Sequence, residues 1–123
     1  MKKPKILIVE DEGIIALELK IKLESRGYSE VYLVPTGKQA LDLLSRIQPD
    51  VILIDIMLKG EMDGIETVKQ IKLKYHIPVI YLTGNSHLRH DPELIATNPE
   101  GFLVKPVFDF ELYEIIENTL KKK

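Results

Sequence analysis

The chain alternates short, mostly apolar runs with longer segments in which apolar residues recur every three or four positions. The short runs are rich in Ile, Val, Leu and Tyr, which is typical of buried strands. They fall at 5–9, 31–34, 51–54, 78–82 and 102–104. The longer segments have helical spacing and predict helices over 14–27, 36–49, 63–76, 87–97 and from 108 into the terminal lysines.

Five strands that alternate with five helices predict an α/β fold with a doubly wound, five-stranded parallel sheet. Parallel neighbours need a crossover connection, and the helices supply it. In the flavodoxin-like strand order 2-1-3-4-5, ligands bind at the switch point between strands 1 and 3. Those two strands end near Glu10 and Asp55. Pro92 lies inside the fourth helical pattern and predicts a kink or a late start there.

Length and composition narrow the classes of function. The 123 residues suit one domain, predicted over 1–123 with its core at about 4–121 and no effector domain. A formal net charge of −2 without a broad basic region argues against direct nucleic-acid binding, and no stretch is long and apolar enough for membrane insertion. The absence of cysteine excludes disulfides and a thiol nucleophile and fits a cytoplasmic protein.

Acidic residues end two of the apolar runs. Glu10, Asp11 and Glu12 follow the first strand, and Asp55 ends the third. In a parallel sheet the carboxyl ends of these strands meet at one edge, so the carboxylates would repel one another unless a divalent cation lies between them. Mg²⁺ prefers oxygen ligands. The pattern therefore predicts metal-dependent phosphate chemistry.

Five short motifs follow or lie within the predicted strands. They are Glu10-Asp11 after strand 1, Asp55 after strand 3, Thr83-Gly84 after strand 4, Phe102 within strand 5 and Lys105-Pro106 after it. Each motif alone is a weak signal, but the five in this order are specific. Over residues 4 to 121 the chain resembles the receiver domain of two-component response regulators.

The resemblance implies a signalling switch that accepts a phosphoryl group and is not a turnover enzyme. In this family the central aspartate, here Asp55, takes the group from a phosphohistidine of a sensor histidine kinase. Lys105 would pair with Asp55 before phosphorylation and with the phosphoryl group afterwards. Thr83 would donate its hydroxyl to the phosphoryl group. The domain would thereby assist its own phosphorylation and dephosphorylation.

The same resemblance implies a Mg²⁺ site. Asp11 and Asp55 would bind the ion directly, and Glu10 would bind it directly or through water. The backbone carbonyl of Met57 would complete the protein ligands.

The resemblance also implies how the signal leaves the site. Movement of Thr83 would be coupled to Phe102, which turns inward and changes the face formed by helix 4, strand 5 and helix 5. This face would bind a downstream protein whose identity the sequence does not reveal. Exposed apolar residues on helices 4 and 5 would also allow a homodimer.

Two departures from the family pattern follow Asp55. The usual proline four residues on is replaced by Lys59, and the loop to Asp63-Gly64 is one residue longer. Both changes lie in the segment that follows Met57, so they affect the geometry expected for the Met57 carbonyl. The first acid is Glu10 where aspartate is commoner, which lengthens its reach.

The same residues help to distinguish a receiver domain from other classes of protein. A dehalogenase-type phosphatase needs a second aspartate where Met57 stands, and a flavodoxin needs a Ser, Thr and Gly-rich first loop to receive phosphate. A pseudo-receiver that binds partners without phosphorylation would lose key site residues, which this chain keeps. A receiver excised from a hybrid histidine kinase or a larger regulator stays open beside a free-standing one.

Overall fold

The computed structural model describes residues 3–122, so the ends of the predicted 1–123 domain lie outside the described residues. The strands are β1 Lys5–Val9, β2 Glu30–Val34, β3 Val51–Asp55, β4 Val79–Thr83 and β5 Gly101–Val104. The helices are α1 Gly13–Ser25, α2 Gly37–Leu44, α3 Gly64–Lys74, α4 Pro92–Ala96 and α5 Asp109–Lys121. A 3-10 helix, Ser86–His90, precedes α4. Among these residues no helix is long and apolar enough to cross a membrane.

The five strands form one parallel sheet in the order β2-β1-β3-β4-β5. This order confirms the predicted flavodoxin-like topology. The carboxyl ends of β1 and β3 are neighbours, because Val9 pairs with Ile54 in the sheet register. The residues that directly follow these two strands therefore lie at the same edge.

Apolar side chains on alternate strand positions fill two cores, one on each face of the sheet. On one face Leu7 and Ile52 pack with α2, α3 and α4, and on the other Ile8 and Leu53 pack with α1 and α5. The central strands are buried on both faces, which explains their almost continuous apolar sequence.

Two helix boundaries differ from the predictions. The second helix ends at Leu44 rather than near Pro49, and the Ser45 hydroxyl donates back to the Asp42 carbonyl at 2.6 Å. The fourth helical pattern is divided into the 3-10 helix and α4. Pro92 occupies the first turn of α4, where a missing N–H is tolerated, and the Asp91 side chain caps it. The pattern therefore has the late start that Pro92 predicted.

Candidate functional site

Three carboxylates converge at the carboxyl edge of the sheet. Glu10 and Asp11 follow β1, Asp55 ends β3, and one carboxylate oxygen from each lies within 4.8 Å of the others. Glu10 and Asp55 are only 2% and 4% exposed, whereas Asp11 is half-buried. The structure thus brings together the acidic residues that the sequence assigned to one site.

Lys105 neutralises part of this acidic cluster. Its Nζ lies 2.6 Å from Glu10 Oε1, 2.8 Å from Asp55 Oδ2 and 3.9 Å from Glu12 Oε1. The Lys105–Pro106 peptide bond is cis. Burial alone would lower the pKa of Lys105, but hydrogen bonds to Asp55 and Glu10 outweigh burial and raise the pKa above its ordinary value. The lysine is therefore a permanent cation within the site.

Glu10 has the most strongly perturbed carboxyl group of the cluster. Burial raises the pKa of Glu10 to about 7, although the hydrogen bond from Lys105 opposes the shift. The nearby carboxylate of Asp55 raises the pKa further, because two negative charges in a buried site repel each other. In the metal-free protein the carboxyl group of Glu10, with its raised pKa, therefore takes up a proton near neutral pH.

The Asp55 carboxylate has a second polar contact besides Lys105, and Thr83 lies at the same edge of the sheet on the neighbouring strand. Asp55 Oδ1 accepts a hydrogen bond from the N–H of Met57 at 2.9 Å, opposite the oxygen that Lys105 contacts. Thr83 ends the neighbouring strand and is fully buried, and its Oγ1 accepts a hydrogen bond from the N–H of Asn85 at 3.1 Å. Accepting this bond does not use the hydroxyl proton. The Lys105 N–H donates to the Thr83 carbonyl at 2.7 Å, which ties the two residues together.

The loop between β3 and α3 contributes a contact that sequence reasoning missed. The backbone N–H of Lys59 donates to Asp11 Oδ2 at 3.0 Å, across 48 positions of sequence. The next residue, Gly60, has φ +108°, a conformation that favours glycine. The sequence marked Lys59 only as a departure from the family pattern, because the direction of a backbone amide cannot be read from residue types.

Gly64 brings the start of α3 against the backbone of the site. A Cβ at this position would lie 2.1 Å from the carbonyl oxygen of Asp55 and 2.7 Å from Ile56 Cα. The N–H of Gly64 donates to the Ile56 carbonyl at 2.8 Å, and the Asp63 side chain caps the helix by accepting from the N–H of Glu66. The Asp63-Gly64 pair, which predicted only a helix start, thus also sets the position of Asp55.

Phe102 lies on β5, beside Tyr81 of β4, and is half-buried against the core that contains α4. The guanidinium of Arg89, in the 3-10 helix, lies 5.4 Å from the centroid of the Phe102 ring. The sequence singled out Phe102 but not Arg89, since their contact depends on how the 3-10 helix packs over β5.

The three carboxylates fit Mg²⁺ by the chemistry of their donor atoms. The cluster offers only oxygen ligands, which this ion prefers, and two of the groups are buried where an uncompensated charge is costly. The side chain of Met57 is exposed, and its backbone N–H contacts Asp55. The backbone is therefore the part of Met57 that would contribute to a metal site.

Comparison with known proteins relates this chain to one family. The family model of the response regulator receiver domain matches residues 6–117. The signal receiver domain of a modulated diguanylate cyclase from Desulfovibrio desulfuricans G20 is 35% identical, with a TM-score of 0.89 over 98% of this chain and 96% of that one. The N-terminal domain of a three-domain response regulator/sensory box/GGDEF protein from Carboxydothermus hydrogenoformans is 32% identical, with a TM-score of 0.89 over 96% and 94%.

A more distant chemotaxis response regulator of Vibrio cholerae is 28% identical, with a TM-score of 0.87 over 97% of this chain and all of that one. The family match spans most of the chain, and the fold agrees with these structures over 96–98% of it. Receiver domains act as signalling switches of two-component systems and generally bind Mg²⁺ at an acidic site. The chain belongs to the response regulator receiver domain family.

Proposed function

We propose that this domain is a phosphorylation-dependent switch in which Asp55 accepts a phosphoryl group from a sensor histidine kinase. The observation that carries the proposal is the environment of Asp55. The carboxylate is buried at the end of β3, is paired with Lys105 and lies within a cluster of three carboxylates. This arrangement supports the proposal, because it would bring a nucleophile, a cation and metal ligands together at one edge of the sheet.

The proposed step is an in-line transfer. A lone pair of Asp55 forms the new O–P bond while the P–N bond of the phosphohistidine breaks, and the imidazole leaves with the electron pair and takes up a proton. Lys105 already contacts Asp55 Oδ2, so its ammonium can follow the negative charge onto the phosphoryl oxygens. Mg²⁺ bound by Glu10, Asp11, Asp55 and the carbonyl of Met57 would supply further neutralisation of those oxygens.

Thr83 and Phe102 form the proposed switch. The hydroxyl proton of Thr83 can turn toward a phosphoryl group on Asp55, because the present contact with the N–H of Asn85 uses only a lone pair. Phe102 is half-buried and can gain apolar burial by moving inward when Thr83 shifts. The result is a population shift on the face formed by α4, β5 and α5.

The proposed protein partners are inferred from exposed apolar side chains of the domain. One face of α1 carries Ile14, Leu17 and Ile21, which are all more than half exposed. Exposed apolar side chains of this kind offer a contact surface to a protein such as a kinase, which a small phosphate donor alone would not use. Ile95 of α4 and Phe110 of α5 are likewise exposed. They support a downstream protein or a second copy as the reader of the phosphorylated state, in the cytoplasm.

Phosphorylation is tested by intact mass after incubation with Mg²⁺ and acetyl phosphate. The wild-type chain should gain one phosphoryl group that hydroxylamine removes, and Asp55→Asn should gain none. Asp42→Asn, an exposed aspartate on α2, is the matched control and should be labelled like wild type. Labelling that persists in Asp55→Asn would refute Asp55 as the acceptor.

The response is tested by light scattering and size exclusion with and without beryllium fluoride. A shift to the dimer would assign the output to self-association, and an unchanged monomer that is nevertheless phosphorylated would assign it to a separate partner. A chain that neither gains phosphate nor responds to the mimic would be a pseudo-receiver, which binds partners without this chemistry.

A further inference from the structure

Each of the three clustered carboxylates accepts a hydrogen bond from a backbone amide. Glu10 Oε2 accepts from the N–H of Glu12 at 3.2 Å, and Asp55 Oδ1 accepts from that of Met57 at 2.9 Å. Both of these donors lie two residues after the acid on the same segment. The donor to Asp11 is different, because the Lys59 amide comes from another loop of the protein.

Lys105, the cation of the site, contacts the three clustered acids unequally. Lys105 forms ion pairs with Glu10, Glu12 and Asp55, and its two short contacts are to the buried pair. Asp11 Oδ2 instead accepts the hydrogen bond from the Lys59 amide, at 3.0 Å. Asp11 is also the least buried of the three acids, so its side chain has the most rotational freedom to lose on binding an ion.

We propose that the Lys59 amide is a positioning group that holds the Asp11 carboxylate in the orientation needed to bind the divalent cation. The proposal rests on the proposed function of the site. A bond to Oδ2 fixes the side-chain torsion and leaves the other oxygen for the ion, which lowers the entropy lost on binding. The proline usual at this position of the family pattern has no N–H. The presence of a backbone N–H at residue 59, which any residue other than proline supplies, therefore sets a feature of metal binding in this chain.

The loop supports this assignment by its own construction. Leu58 is buried and anchors the segment, and Gly60 forms a bend with φ +108°. The Lys59 side chain is exposed, so the backbone, not the ammonium, makes the contact with Asp11. Replacing the side chain alone should therefore leave metal binding unchanged.

The first experiment measures the contact itself in the metal-free protein. The Lys59 amide proton should resonate downfield, and in Asp11→Ala it should move upfield and exchange with solvent several-fold faster. Glu61, exposed in the same loop, provides the control variant Glu61→Ala, which should leave the Lys59 amide unaffected. Equal exchange in wild type and Asp11→Ala would overturn the proposal.

The second experiment measures Mg²⁺ affinity by calorimetry in the absence of any phosphate donor. Lys59→Ala keeps the amide and should bind within about twofold of wild type, whereas Lys59→Pro should bind about tenfold more weakly. An α-hydroxy acid placed at position 59 by semisynthesis removes the N–H without restricting φ, so it serves if the proline variant does not fold. Affinity unchanged in the ester variant would contradict the proposal.

A double-variant experiment with Asp11 distinguishes positioning of the Asp11 carboxylate from a general loss of loop structure. In the Asp11→Asn background, removal of the Lys59 amide should change the affinity by less than about twofold, and a full tenfold loss there would refute action through Asp11. Failure of this inference can be distinguished from failure of the proposed function. A protein that is phosphorylated on Asp55 but binds Mg²⁺ equally with and without the amide would keep its function and lose this inference.

Discussion

The guanidinium of Arg89 covers the ring of Phe102, with its central carbon 5.4 Å from the ring centroid. Arg89 lies in the exposed 3-10 helix that directly follows the segment after Thr83, whereas Phe102 is half-buried on β5. A cation over an aromatic face is attracted by the ring quadrupole. This contact therefore stabilises the half-buried position that Phe102 has in the structure, and the inward turn proposed for the ring would break it.

Arg89→Ala is expected to favour the inward position of Phe102. An exposed cation–π contact contributes about 0.5–1 kcal/mol, so its loss should raise the ratio of inward to outward rings about two- to fivefold. The ratio can be measured by fluorine NMR of protein labelled with fluorophenylalanine. The exposed neighbour His90 gives the control His90→Ala, and an identical shift in both variants would show that the contact does not hold the ring.

The metal-free protein is expected to lose stability as pH rises through the titration of Glu10. Folding raises the pKa of Glu10 from 4.5 to about 7, so the folded state binds a proton that the unfolded state releases. The resulting stabilisation is complete below about pH 4.5 and is lost as pH rises to about 7. A rise of the Glu10 pKa from 4.5 to about 7 corresponds to roughly 3 kcal/mol.

Denaturant unfolding of Glu10→Gln between pH 5 and 8 isolates this contribution. The variant should lack the Glu10 part of the pH dependence, so it should gain stability relative to wild type as pH increases. Glu12→Gln replaces an exposed acid of the same segment and should keep the wild-type slope. Parallel pH profiles for wild type and Glu10→Gln would contradict the raised pKa.

Gly64→Ala is expected to destabilise the fold and displace the end of β3 that carries Asp55. The new methyl would meet the Asp55 carbonyl oxygen and Ile56 Cα, which are backbone atoms that cannot move aside freely. Overpacking of this kind costs about 1–3 kcal/mol, measurable by chemical denaturation. Gly13 also starts a helix, but a methyl group there would meet no atom of another described segment within 4 Å, so Gly13→Ala should be neutral or slightly stabilising.

Tyr81→Phe is expected to loosen α4 without disturbing the carboxylates. The buried Tyr81 hydroxyl lies 2.7 Å from Thr97 Oγ1, and Thr97 in turn donates to the Leu94 carbonyl at 2.6 Å. Tyr81 is therefore the donor that links β4 to the end of α4. Its removal should cost about 1 kcal/mol and speed amide exchange in α4.

The half-buried Tyr75 at the end of α3 supplies the control for this variant. Tyr75→Phe should change the free energy of unfolding by less than about 0.5 kcal/mol. Unaltered exchange of the α4 amides in Tyr81→Phe would show that the hydrogen bond is not what holds this helix on the sheet.

The sequence was sufficient for features that depend on local periodicity. Buried parallel strands have continuous apolar runs and their crossover helices have a 3.6-residue spacing, so the alternation of strands and helices could be predicted without contacts. The strand order was adopted from the flavodoxin-like pattern of doubly wound sheets. Once the strand order is known, residues such as Glu10 and Asp55 must meet, because the carboxyl ends of adjacent parallel strands share an edge. The acidic cluster was therefore predictable as a set of residues.

Tertiary structure decided how those residues are held. Whether the Lys59 amide points at Asp11 depends on the torsions of a loop that folds over the site, and residue types do not specify them. The contact between Arg89 and Phe102 depends on the packing of a 3-10 helix, and the pKa of Glu10 depends on burial. Periodicity describes one segment at a time, whereas orientation, burial and charge balance arise only when distant segments pack together.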